Sequence, residues 1–293
     1  MQRLSKKVMV TSNLIKKLVI PRLRSSKKGD NGIVLIAGGS TRYHGAPILA
    51  SMAALRSGTD LVYTAVPRSI IVAVRCCSPN IIALPLPDDK LTVGSANRLV
   101  RIIPKKADSA AIGMGMSIAK SEALLSLIRR LKSDGTKLLL DASALIPEVL
   151  KEISGTGTII TPHVGEYKRI FSGDNISGAT TEKEQISNVH RLAKQYGITI
   201  LLKGSIDIIS DGEHVAINKI HNCAMTVGGT GDVLSGLTVG FLTKLKPFDA
   251  SILGVYFNGV AGNLVYNRIG LHMVASDLIE SLPKAIKPFD LIK

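Results

Sequence analysis

Three glycines, a threonine and an acid, Gly228-Gly229-Thr230-Gly231-Asp232, separate a polar loop from a segment whose apolar residues Val233, Leu234, Leu237, Phe241 and Leu242 recur at helical spacing. The pattern predicts a tight turn opening into a helix N-terminus. The first turn of a helix carries unpaired N–H groups and the positive end of the macrodipole, and glycine lets the backbone close on an anion. Asp232 is out of place beside an anion unless it takes a proton from a group that attacks the anion. An anion cradle plus one carboxylate is what phosphoryl transfer to a hydroxyl requires. The same residues also read as an ordinary turn and an acid stabilising a helix start, so the stretch alone does not choose.

Other chemistry-bearing residues fall at strand ends. Asp141 closes the apolar run Lys137-Leu138-Leu139-Leu140, where it is placed for chemistry or as a helix N-cap. His163 and Glu166 follow Thr161-Pro162, and their spacing puts them on one face of the next helix; a structural His is the plain alternative. Lys203-Gly204-Ser205 ends the run Ile198–Leu202 and suits a phosphate. Gly38-Gly39-Ser40-Thr41-Arg42-Tyr43-His44-Gly45-Ala46-Pro47 follows the apolar run Ile33–Ala37. It fits neither the P-loop nor the dinucleotide fingerprint, and reads as a loop over a small-molecule site or a plain βα connection. In parallel α/β sheets ligands collect at the carboxyl ends of strands, which is where all of these lie.

The elements that must position them alternate. Apolar runs at Ile33–Ala37, Leu61–Val66, Ala110–Ile112, Lys137–Leu140, Thr158–Ile160 and Ile198–Leu202 read as buried parallel strands. Helical patterns stand between them at 48–56, 69–76, 96–103, 120–132 and 182–196, and 8–18 reads as a weak helix. Leu84-Pro85-Leu86-Pro87-Asp88-Asp89 is a proline-rich piece with no element assigned to it, and residues 206–218 read as a hairpin turning at Asp211-Gly212. Ala250–Asn267 has no charge over 18 residues, but Asn258, Asn263, Asn267 and three glycines mark it as a buried helix rather than a membrane span. A helix after Ala275 closes the chain. The expectation is one doubly wound α/β domain over residues 1–293, with a mostly parallel sheet and helices on both faces.

The totals narrow the classes. With 293 residues, 45% hydrophobic and 27 Gly, the chain is neither disordered nor collagenous. The net charge is +15, and residues 1–29 hold nine bases and no acid. Without zinc-finger spacing or aromatic interleaving, nucleic acid is the weaker account of that basic segment, and attraction of phosphorylated small molecules the stronger. Three cysteines without a CxxC pattern and no signal-like run suit a soluble cytoplasmic protein.

Four motifs in order resemble the NAD(P)H-hydrate dehydratase family, the carbohydrate-kinase domain of the ribokinase-like superfamily. They are Gly38-Gly39-Ser40 with Tyr43 and Gly45-Ala46-Pro47, Thr161-Pro162-His163 with Gly165-Glu166, Lys203-Gly204, and Gly228-Gly229-Thr230-Gly231-Asp232. The resemblance implies a ribokinase-like three-layer sandwich and a metabolite-repair lyase. Such an enzyme uses ADP or ATP, with magnesium, to phosphorylate the hydroxyl of the S epimer of hydrated NADH or NADPH. Elimination of phosphate then restores the cofactor.

It further implies Asp232 as base and the N–H groups of Gly229, Thr230 and Gly231 as anion hole. Ala46, Gly115, His163 and Asp232 would contact the hydrated cofactor. Lys203, Gly204, Ser205, Ile206, Asp207 and Gly231 would hold the adenine nucleotide, and Glu166 would act on magnesium through water. Relatives commonly form tetramers, and many carry an epimerase domain; residues 1–30 are too short for one, so an epimerase would be a separate protein. Relatives usually show Gly-x-Gly-Leu-Gly at Gly113–Ser117, Asp-Ala-Asp at Asp141–Ser143 and His-Gly at Asn258-Gly259, differences that bear on substrate fit. The alternative on the same fold is a kinase of a small alcohol, a vitamin precursor or sugar. A non-catalytic nucleic-acid-binding protein is the more distant rival.

Overall fold

The computed structural model describes residues 7–174 and 181–293, which leaves Arg3 and Lys6 of the basic segment outside the described residues. Its strands, in chain order, are β1 (Lys7–Met9), β2 (Ile33–Ala37), β3 (Leu61–Pro67), β4 (Ile82–Leu86), β5 (Ser109–Ile112), β6 (Lys137–Leu140), β7 (Ile159–Ile160), β8 (Thr199–Leu202), β9 (Asp207–Ser210) and β10 (Val215–Asn218). They form one sheet in the order β1-β10-β9-β8-β7-β6-β5-β2-β3-β4. Every pairing is parallel except those of β9, which runs antiparallel to β8 and to β10.

The helices are α1 (Ser12–Leu18), α2 (Gly45–Arg56), α3 (Ile71–Cys77), α4 (Val93–Ile102), α5 (Ser121–Ser133), α6 (Val149–Ile153), α7 (Val164–Ile170), α8 (Glu182–Tyr196), α9 (Thr230–Leu242), α10 (Pro247–Ile269) and α11 (Ala275–Ile286). Strand periodicity assigns them to two layers. On β2, Ile33, Leu35 and Ala37 enter a core shared with Leu99 of α4, Leu124 of α5, Val149 of α6, Tyr167 of α7 and Val189 of α8. Val34 and Ile36 point the other way, towards Ala50 of α2, Val239 of α9 and Ala250 of α10. Because both faces are covered, β2 and β3 are buried along their whole length, as their unbroken apolar runs require.

The chain runs β2, β3, β4 in one direction, then returns to place β5 on the other side of β2. That reversal opens a crevice at the carboxyl ends of β2 and β5, the topological switch point. Gly39 N donates to Met114 O at 2.8 Å and Gly113 N to Ala37 O at 3.0 Å, so the glycine loops after the two strands line the crevice together.

One expectation is corrected. Residues 8–18 do not form one helix: Val8 lies in β1, an edge strand on β10, and the helix starts only after Thr11, whose hydroxyl caps Leu14 N. The proline-rich piece supplies part of a strand, since Leu84, Pro85 and Leu86 belong to β4. Pro85, which has no N–H to donate, is tolerated because β4 is an edge strand. The uncharged segment forms most of α10, largely buried, and among the described residues no helix is long and apolar enough to cross a membrane.

The seating of α9 depends on absent side chains. A methyl group at Gly236 would overlap the carbonyl oxygen of Ala50, and one at Gly240 would overlap Ser57 Oγ, so α9 lies directly on the backbone of α2. Gly254 of α10 likewise admits Thr238 of α9. Gly236→Ala is expected to destabilise the fold by about 1–3 kcal/mol, since a backbone carbonyl cannot step aside as a flexible side chain can. Gly94→Ala, where the nearest atom would lie at an ordinary 3.6 Å, should be neutral or stabilising. Denaturant titration of the two variants measures the contrast.

Candidate active site

The N-terminus of α9 is built from the glycine run. Gly229 takes φ +95° and stands as N-cap with no side-chain cap bond, and the first helical bond is Val233 N to Gly229 O at 3.1 Å. The preceding N–H groups of the first turn therefore have no intrahelical acceptor. Thr230 Oγ1 turns back to donate to Met225 O and Val227 O, bracing the loop. Its contribution at the helix mouth is thus its backbone.

Asp232 lies in this first turn, half-buried. Burial, with the nearby Asp141 charge adding to it and Lys203 opposing, pushes its carboxyl up to about 7. Lys203 is the neighbouring cation, and its Nζ lies 3.4 Å from where a methyl group on Gly231 would sit. It pairs with Asp141 Oδ1 at 3.0 Å. Burial works to lower the ammonium's pKa, but the charges of Asp141, Glu166 and Asp232 outweigh it and hold the group above its usual value. Asp141 itself is buried, accepts from Ala142 N at 2.9 Å, and accepts from Ser235 Oγ at 2.7 Å.

His163 and Glu166 stand together as their spacing predicted, with His163 Nε2 3.6 Å from Glu166 Oε2, but His163 precedes the helix and does not lie in it. His163 is the N-cap of α7: its Nδ1 accepts from Gly165 N at 3.0 Å and Glu166 N at 3.3 Å, and Glu166 Oε2 accepts from His163 N at 2.9 Å. This reciprocal box fixes both side chains. It also fixes the tautomer: an Nδ1 that accepts twice carries no proton, so the exposed Nε2 carries it and is a donor. Lys203 N donates to Pro162 O at 2.9 Å, so the tips of β7 and β8 bring His163 and Lys203 side by side.

Two further groups flank this centre. At the switch point, Gly115 takes φ +62°, and an added methyl would press on Tyr43 and on Ala46 Cβ, so Ala46 and Gly115 share one wall. Beyond β8, Gly204-Ser205-Ile206 loops to Asp207, whose carboxyl is pushed up by burial while the Asn218 amide, donating at 2.9 Å, opposes. A cavity of about 810 Å³ lies elsewhere, between the 19–31 segment, the C-terminal end of α9 and the chain's last residues. The chemistry-bearing side chains sit outside it, along the sheet's carboxyl edge.

Residues 34–284 match the NAD(P)H-hydrate dehydratase family. The chain is 49% identical over 284 residues to the ADP-dependent (S)-NAD(P)H-hydrate dehydratase of Nitrosopumilus maritimus, covering 97% of this chain and 98% of that protein. The chain belongs to the NAD(P)H-hydrate dehydratase family. It is also 39% identical to a bifunctional NAD(P)H-hydrate repair enzyme of Pyrobaculum aerophilum, over 92% of this chain and 53% of that protein. The fold matches an ADP/ATP-dependent NAD(P)H-hydrate dehydratase of Bacillus subtilis co-crystallised with ATP and Mg2+, with TM-score 0.83, 24% identity and coverage of 97% and 99%. A hydroxyethylthiazole kinase of Pyrococcus horikoshii shares the fold at TM-score 0.63 and 15% identity. The expected three-layer α/β sandwich, a mostly parallel sheet with helices on both faces, is therefore the architecture of this family member.

The structure brings Asp232, Gly231, Lys203 and Asp141 together, sets His163 and Glu166 beside Lys203, and pairs Ala46 with Gly115. Sequence reasoning missed Ser235. Its signal was available, because three residues beyond Asp232 on a helix is the same face.

A half-buried carboxyl titrating near 7 in the folded state, against an ordinary 3.8, binds its proton more tightly folded than unfolded. Its stabilising contribution is present below pH 3.8 and lost as pH rises towards 7. Asp232→Asn is therefore expected to melt above wild type at pH 8, with the gap closing on acidification to pH 4. Thermal melts at the two pH values measure it.

Proposed function

We propose that the protein restores damaged nicotinamide cofactor, by ADP-dependent dehydration of the S epimer of hydrated NADH or NADPH. The observation that carries the reading is Asp232 in the free first turn of α9, beside Lys203 and held near neutrality in its proton affinity. Membership of the family and the ADP-dependent relatives support it over a small-alcohol kinase, which would keep the phosphate on its product.

In the reaction the hydrate's hydroxyl oxygen attacks the terminal phosphorus of the nucleotide, and Asp232 takes the hydroxyl proton. A new O–P bond forms as the bond to the departing nucleotide breaks, and the N–H groups of Gly229, Thr230 and Gly231 meet the charge on the phosphoryl oxygens. The carbon–oxygen bond then breaks, phosphate leaves, and loss of a proton from the neighbouring carbon restores the ring double bond. Lys203, with Gly204, Ser205, Ile206, Asp207 and Gly231, is assigned to the nucleotide. Ala46, Gly115 and the Nε2–H of His163 are assigned to the hydrated cofactor.

Magnesium fits this donor set. Among the described residues no three His, Cys, Asp or Glu side chains form a metal cage, and magnesium is ordinarily held by one or two carboxylates with substrate phosphates and water. Glu166, with Oε2 engaged by His163 N, would offer Oε1 to a metal-bound water. When bound, the ion would offset charge on the phosphates.

Incubating the protein with hydrated NADH and ADP and following recovery of the nicotinamide absorbance tests the reading. Stable phosphorylation of another alcohol without recovery would refute it. The rate should fall on acidification with a midpoint near 7, since Asp232 must be ionised to take the proton. Asp232→Asn should lose turnover by about 10²–10⁴-fold while still binding ADP. His163→Asn preserves a cap-forming acceptor and should leave the melting temperature near wild type while weakening hydrated-cofactor binding more than ADP binding. His163→Ala should lower stability as well, by about 1 kcal/mol.

A further inference from the structure

Asp141 has no part in the reaction as written, yet its surroundings are built around it. It is 3% exposed, and its two oxygens take three donors: Lys203 Nζ at 3.0 Å and Ala142 N at 2.9 Å on Oδ1, and Ser235 Oγ at 2.7 Å on Oδ2. The residue after it, Ala142, has φ +50°, the one non-glycine among the described residues with positive φ. A left-handed alanine is strained, and strain of this kind persists only where surrounding contacts enforce it. Here Ala142 N bonds back to the Asp141 carboxylate, and Arg169 Nη2 donates to Ala142 O at 3.4 Å. The β5 loop closes from the other side, since a methyl group on Gly113 would overlap the Asp141 carbonyl oxygen. The backbone is thus forced into a shape that aims this carboxylate at Lys203 and α9.

We propose that Asp141 is a positioning residue: from the buried tip of β6 it holds the Lys203 ammonium in the centre of the site and, through Ser235, fixes the turn of α9 that carries Asp232. Without it the ammonium would swing to the remaining carboxylates in reach, Asp232 and Glu166. A direct pair with Asp232 would favour the ionised base but weaken its pull on the substrate proton, and would withdraw the cation from the nucleotide. Asp141 keeps the two reacting-site charges apart, and Ser235, one turn into α9, ties helix and anchor together. The groups facing this centre are Asp232 on α9, Asp141 beyond β6, Lys203 beyond β8, Glu166 on α7 and His163 at its N-cap, with Asp207 and His221 around the loop after Lys203.

The inference rests on Asp232 as base, and Asp232→Asn tests that separately: if that variant keeps near-full turnover, the base assignment fails whatever Asp141 does. For Asp141, the full chain is assayed as Asp141→Asn, Lys203→Met and the double variant, with hydrated NADH and ADP. Asparagine keeps the shape and an acceptor, and removes the charge. Asp141→Asn should lose turnover about 10–100-fold, and adding it to Lys203→Met should cost less than about a further threefold, because the two act as one unit.

The acid limb of its kcat/KM profile should move down by about half a pH unit or more, as Asp232 loses a like charge and gains a freed ammonium. A purely structural loss would leave that limb in place. Should Asp141→Asn not fold, melting temperatures still decide: Lys203→Met strands a buried carboxylate, and the double variant should melt above it. Multiplying losses, an unmoved acid limb, or a double variant melting below Lys203→Met would each overturn the proposal.

Discussion

One ammonium group, Lys203 Nζ, lies in the field of the carboxylates of Asp141, Glu166 and Asp232, and the rest of the site is arranged around that imbalance. Three acids and one base make a poor receptor for phosphate on charge alone. Two features reverse the balance. The first turn of α9 adds free N–H donors and a positive dipole end, fixed in place and costing no reorganisation. Burial near Asp141 also raises the proton affinity of Asp232 to about 7, so at neutral pH the carboxyl is neutral in a large share of molecules when the anion arrives. The same shift makes Asp232 a stronger base once ionised. On the proposed function, one interaction would thus serve entry of the anion and chemistry on it.

That arrangement is only as good as the seating of α9, which is controlled along its length rather than at the site. Gly236 and Gly240 press the helix against the α2 backbone, and Ser235 bonds it to Asp141. At the far end Lys137, from β6, donates to Leu242 O and Leu245 O at 3.1 Å, a cation on the negative end of the helix. Asp141 closes the same strand. The tip of β6 therefore sets the helix mouth and its start holds the helix tail, so α9 is registered against the sheet at both ends. A packing change fifteen ångströms or so from Asp232, about ten helical residues at 1.5 Å each, acts on the same rigid body.

The order of elements was legible in the sequence because buried parallel strands are written as unbroken apolar runs and the glycine turns mark their carboxyl ends. What misled was local. Val8 looked helical beside Leu14 and Ile15 because a three-residue edge strand is too short to show its own period. Pro85 hid β4, because whether a strand lies at an edge is settled by topology and not by its own residues. At the site, Asp232, Lys203 and Asp141 were readable as strand-tip and helix-mouth residues, but their pairing was not. Asp141 and Lys203 are 62 residues apart, and only the β6-β7-β8 order brings them within 3.0 Å. His163 and Glu166 were legible as neighbours but the capping was not: a histidine accepting through Nδ1 caps a helix as an asparagine would, a use of the ring that its identity does not announce.

On the proposed function, the strand order also explains how two ligands would meet at one carboxylate. From β8, which ends in Lys203, through β7, β6 and β5 to β2, which feeds the Ala46 loop, there are four steps in the sheet. At about 4.8 Å each, they span roughly 19 Å of carboxyl edge. The assigned nucleotide residues lie at the β8 end of that edge, Ala46 and Gly115 of the assigned cofactor residues lie towards the β2 end, and His163 stands at the tip of β7, next to Lys203. The strand midway between the two ends is β6, whose tip is Asp141, and there Ser235 fastens α9 to the sheet. A reaction joining a phosphoryl group from one end to a hydroxyl from the other has to happen near the middle. The turn of α9 that carries Asp232 is the turn anchored there.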